Sequence, residues 1–70
     1  MANPAEGIAD AVKALRREIG ALEHELRRVR DGLERNPTRA LESRAHQLRE
    51  NIALCRRELA QTLAQAGKSD

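Results

Sequence analysis

No phenylalanine, tyrosine or tryptophan occurs among the 70 residues. That absence removes any stacking platform for nucleobases and any aromatic anchor for a membrane interface. A single cysteine, Cys55, excludes an intrachain disulfide, and with only two histidines it makes a poor zinc set. No apolar run approaches the ~18–20 residues needed to span a bilayer. The opening MANPAEGIAD has neither a basic n-region nor an apolar h-region, so no secretory signal peptide is expected. A free thiol without such a signal fits a reducing, cytoplasmic setting. No nucleophile–base constellation, phosphate-cradling glycine loop or metal-ligand spacing is present. An enzyme, a cofactor and a small-molecule ligand are therefore not expected.

What remains is mostly Ala, Leu, Glu, Arg and Gln, the composition of a long helix or coiled coil. Thirteen basic residues against eleven acidic leave a net charge of +2, a mild bias toward anionic partners. Both prolines follow asparagine. Asparagine is a favoured N-cap, and proline suits the first helical position, where its missing N–H costs no intrahelical bond. Asn3-Pro4, with Glu6 at capping-box spacing, predicts one helix start. Asn36-Pro37 predicts a second and stops the preceding helix, because proline pushes the residue before it out of helical geometry. The expected layout is a single domain over 1–70: helix 1 about 4–34, a turn about 35–36, helix 2 about 37–66. Gly67 stands where a C-terminal cap belongs, and 67–70 reads as a frayed tail. Gly7, Gly20 and Gly32 each weaken helix 1 by roughly 0.8–1 kcal/mol relative to alanine. Gly20, well inside the helix, is either tolerated or marks the close approach of another backbone.

The apolar residues of helix 1 are Ile8, Val12, Leu15, Ile19, Leu22, Leu26, Val29 and Leu33. Their steps alternate four and three, a heptad with Val12 and its equivalents at a and Ile8 and its equivalents at d. Helix 2 repeats it with smaller residues: Leu41, Ala45, Leu48, Ile52, Cys55, Leu59, Thr62 and Ala66. Folding the chain at Pro37 pairs each a with a d, from Leu33–Leu41 out to Ile8–Ala66, every pair of residue numbers totalling 74. A continuous rod needs no registration centred on the proline. The pattern predicts an all-α, antiparallel two-helix hairpin.

Flanking charges test that register. Arg30–Glu42 and Glu23–Arg49 are expected to attract on the e side. Arg16–Arg56 on the e side and Glu18–Glu58 on the g side repel, and both flank the Ile19–Cys55 layer. An exposed pair is worth only ~0.2–1 kcal/mol, so the hairpin tolerates this, and a second chain could answer it. Below about 70–80 residues a single core rarely supplies more than ~3–5 kcal/mol. Association with itself, into a four-helix bundle, or with a protein partner is the expectation.

The two broad sides of the hairpin differ. The e/b side carries Lys13, Arg16, Arg27, Arg30, Arg39, Arg49 and Arg56, interleaved with glutamates. Such a stripe could hold phosphates, arginine being a bidentate partner for them, although interleaved acids also describe a solvated, salt-bridged face. The g/c side is flatter: Ala14, Ala21 and Leu54, with Glu18 and Glu58, form a candidate partner-binding face. Leu54 and Leu63 point away from the seam. Cys55 at d reads as a buried small hydrophobe, since a redox role needs an exposed thiolate of lowered pKa. His24 and His46 fall on outer positions with no ligand spacing.

Length, hairpin, a proline-containing turn and the stretch CRRELA (55–60) resemble the small helical co-chaperones of type III secretion, the YscE/PscE kind. That resemblance implies a hairpin which joins a second chaperone to hold the needle subunit. The architecture alone also resembles the repressor-of-primer class, in which two hairpins form a four-helix bundle that binds RNA. Neither resemblance assigns a role to a particular residue. The reading is a cytoplasmic, non-enzymatic module that acts through helix–helix packing, as an adaptor, a chaperone subunit or a homo-oligomer; a dimeric RNA-binding bundle is the alternative.

Overall fold

No proline interrupts the chain between Pro4 and Pro37, helix formers outnumber the three glycines there, and the fold follows that division. The computed structural model describes residues 4–68, with side chains from 7 to 67. Helix α1 runs Pro4–Arg35 and helix α2 runs Arg39–Lys68. The long axis of the molecule is 52 Å. Thirty-two residues of helix span ~48 Å at ~1.5 Å per residue, and a straight rod of both helices would reach ~100 Å. The chain is folded back on itself as an all-α hairpin.

The turn occupies residues 36–38, not 35–36. Asn36 N–H donates to the Gly32 carbonyl at 2.9 Å, the last bond of α1. Asn36 therefore closes the first helix and does not cap the second. The cap is Thr38, whose Oγ1 accepts the Leu41 N–H at 3.2 Å while its carbonyl accepts the Glu42 N–H at 3.0 Å. Pro37 lies between, outside both helices, and α2 starts two residues later than expected. Reversing the chain needs backbone that belongs to neither helix, and threonine caps as asparagine does. Glu42 in the first turn of α2 faces the positive end of its dipole. At the other end α2 continues through Gly67 to Lys68, and no described glycine has positive φ, so Gly67 is a helical residue and not a left-handed cap. Pro4 opens α1 as expected, whereas Asn3, the Glu6 side chain and Ser69-Asp70 lie outside the described residues.

The buried core is Ile19, Ala45, Leu48, Ile52 and Cys55. Every other residue of the two heptad stripes is half-buried, so none of the sixteen is exposed. Burial is unequal between the helices: four stripe residues of α2 are buried against one of α1. Small side chains on α2 let the longer ones of α1 overlie them, and the overlying leucines keep an open flank. Leu54 and Leu63, off the stripe, are 54% and 46% exposed.

Two features bear on the register. A Cβ added at Gly32 would lie 3.4 Å from Leu41 Cδ1, so these residues face each other beside the turn. Across the helices, Arg44 Nη2 bonds Glu25 Oε1 at 2.5 Å and Arg56 Nη2 bonds Glu23 Oε2 at 3.4 Å. Their residue numbers total 69 and 79, equally far on either side of 74. These contacts centre on the expected 74, but the charge partners differ from expectation. Glu23 takes Arg56, not Arg49, and no Arg30–Glu42 bridge forms among the described residues. Helical side chains lean toward their own N-terminus, which brings Glu23 and Arg56 together and carries Arg49 away. Arg44 stands across from Gly32, which offers no side chain, and reaches past it to Glu25.

Candidate functional site: two opposite faces

The heptad places e and b of both helices on one broad side and g and c on the other, so the surface divides into two faces. All five residues of the candidate partner face are exposed: Ala14, Glu18, Ala21, Leu54 and Glu58. Glu18 and Glu58 come from different helices and converge on Cys55. Burial pushes the Cys55 thiol above its ordinary pKa, and the Glu18 and then the Glu58 carboxylate add to the shift. That is the reverse of what a reactive thiolate requires, and Cys55 is a buried apolar residue in the packing. Neither Glu18 nor Glu58 has an ion-pair partner among the described residues.

On the other face Lys13, Arg16, Arg27, Arg30, Arg49 and Arg56 are all exposed. Three of them, Arg30, Arg49 and Arg56, surround a shallow groove floored by Leu26, Ile52 and Ala53, with Glu23 on its rim. Arg27 borders the adjoining hollow. Lys13 and Arg16 lie farther from the turn, outside the groove. Arg56 is engaged by Glu23, whereas Arg16, Arg30 and Arg49 are without ion pairs among the described residues. The arginine face is therefore a band with one apolar trough, not a closed anion pocket.

The histidines do not converge. His24 is on α1, and His46 Nε2 lies 3.1 Å from Glu50 Oε1 one turn along α2. Among the described residues no group of three His, Cys, Asp or Glu side chains could hold a metal ion, and no helix is long and apolar enough to cross a membrane. Gly20, on the arginine side of α1, is exposed, and a methyl group there would meet nothing within 4 Å. The groove was not legible from the stripe of charges, because it depends on how Leu26, Ile52 and Ala53 lie beneath the arginines.

Fold and faces define an α-helical hairpin with an apolar seam and two chemically distinct sides. Comparison of the chain with protein-family models, curated proteins and solved structures finds no match.

Proposed function

We propose that this hairpin is a non-enzymatic protein–protein interaction module, an adaptor or chaperone subunit of the cytoplasm, working through helix–helix packing. The observation that carries this reading is Leu54. It is 54% exposed on a face of alanines, while the stripe residues on both helices are turned inward. A leucine over a flat alanine strip suits a partner helix laid along the hairpin, the leucine as anchor and the alanines permitting close approach. The core is thin for a domain of this length, which also favours a chain that gains stability from a partner.

The test is partner capture with Leu54→Glu beside the unaltered chain. Loss of capture with helicity retained supports the docking face. If Leu54→Glu unfolds the chain, Leu54 belongs to the core and the face is misassigned. A second reading, a dimeric RNA-binding bundle, draws on the three arginines around the groove. Absence of aromatic residues and the Glu23–Arg56 bond weigh against it. RNA bound tightly at physiological salt, and lost on Arg49→Glu with Arg56→Glu, would replace the protein-docking reading.

A further inference from the structure

Nothing in its own chain explains Gly20. Alanine would serve the middle of α1 better, and a side chain at 20 would point into open space. It lies on the arginine face. The charges beside the Ile19–Cys55 layer are only partly accounted for: Glu18 and Glu58 on one side have no ion-pair partner among the described residues, and on the other Arg56 is bonded to Glu23 while Arg16 has none.

We infer that a second copy of this chain docks on the arginine face, in the same orientation, presenting its Leu54 face and unshifted along the hairpin axis. This rests on the docking role of the Leu54 face and names its occupant. Glu18 stands two residues beyond Arg16 on α1, and Glu58 two beyond Arg56 on α2. Each offset is about 3 Å at ~1.5 Å per residue, well within the reach of arginine. A translation perpendicular to the helices therefore sets each carboxylate of one copy over an arginine of the next, on both helices at once: Glu18 meets an Arg16 without an ion pair, and Glu58 joins Glu23 on Arg56. Arg44, bonded to Glu25 in its own chain, comes to Glu42 of the next copy by the same offset. At c over b, Ala21 lands on Gly20, and Leu54 lands on Ala53 beside the trough floored by Ile52. A side chain at 20 would hold the two α1 helices apart, and glycine lets them touch. Glu25 falls over Glu23, but each is already bonded to an arginine of its own chain. Arg28 over Arg27 is the like-charge meeting that opposes the docking. Unlike faces join, so the second copy exposes a fresh arginine face and assembly does not close at two.

Sedimentation velocity from micromolar to millimolar concentration, with helicity measured for each variant, tests this. The wild type should pass beyond dimer mass as concentration rises. Glu18→Arg with Glu58→Arg should weaken association at least tenfold, as should Arg16→Glu with Arg56→Glu, and an equimolar mixture of the two variants should restore it. Gly20→Gln should be more helical than the wild type and associate at least tenfold more weakly; because it strengthens the helix, it decides the matter whatever the charge reversals do to folding. Three outcomes overturn the docking: a mass that stops at dimer with the arginine variant unaffected, a mixture that does not reassociate, or Gly20→Gln that associates normally. A monomeric wild type whose arginine face binds RNA overturns it too. A monomeric wild type that still captures a different protein through Leu54 overturns the self-docking and leaves the module reading intact.

Discussion

Removing the Leu48 side chain beyond Cβ tests whether the core lies where the heptads place it. Leu48 is 0% exposed, the largest fully buried side chain among the described residues. Its neighbours along the α2 stripe, Ala45 and Ile52, are themselves buried and already hold α1 at contact distance, so a gap at 48 cannot close. Leu48→Ala then carries both the transfer and the cavity terms, about 2–5 kcal/mol. A domain of this size has ~3–5 kcal/mol in all, so the variant should lose most of its stability at 25 °C and low concentration. Leu54→Ala, a change of the same chemistry on an exposed residue, should move stability by no more than ~0.5 kcal/mol. Urea melts followed by far-ultraviolet circular dichroism, at one low protein concentration for all chains, compare the two without a contribution from association. Equal losses for Leu48→Ala and Leu54→Ala would refute the reasoning, since they would mean α2 is rotated about its axis.

Three further outcomes follow from the turn, the thiol and the register. Thr38→Ala should cost about 0.5–2 kcal/mol in a urea melt through loss of the α2 cap, and Asn36→Ala distinctly less; the opposite order would return the cap to Asn36. Because the folded chain holds the Cys55 thiol proton more tightly than the unfolded chain, stability should be unaffected by this group at neutral pH. It should fall as pH rises through the ordinary thiol range, about 8.5, and above, and urea midpoints of Cys55→Ser should lack that decline. Cysteines at Leu22 and Ile52, in a Cys55→Ser background, should form an intrachain bond in monomeric chains; bonding of positions 22 and 59 in their place would defeat the register.

The seam was legible because burial in a two-helix hairpin depends on one periodic variable. Spacing alone put sixteen residues on the stripe, and none is exposed. The cap was harder to read, since Asn36 and Thr38 flank the same proline and both are good capping residues. The choice rests on how much backbone the reversal uses, which is a tertiary matter. Glu23 pairs one heptad away from its expected partner for a related reason. The heptad treats opposite positions as level, whereas Glu23 and Arg56 each lean toward their own N-terminus and so meet one heptad farther out. Leu54 and the arginine band were visible as positions off the stripe, but the trough within that band and the open space at Gly20 needed coordinates.

Burial along the seam is deepest in its middle and lessens toward both ends, but only one end is closed by the turn. Thr38 and Leu41 clamp the turn, and the stripe is tight from Ala45 to Cys55. Farther out, Ile8, Val12 and Leu15 meet Leu59, Thr62 and Ala66 as half-open layers. Thr62 even turns its hydroxyl back to the Glu58 carbonyl, at 2.8 Å. The two arms thus behave as a zipper fastened at one end. They part first at the distal layers, and amide hydrogen exchange should run fastest there and slow steadily toward Leu48. Unzipping to the Ile19–Cys55 layer leaves the turn and the buried core intact, so the distal arms can open and reclose many times for each global unfolding.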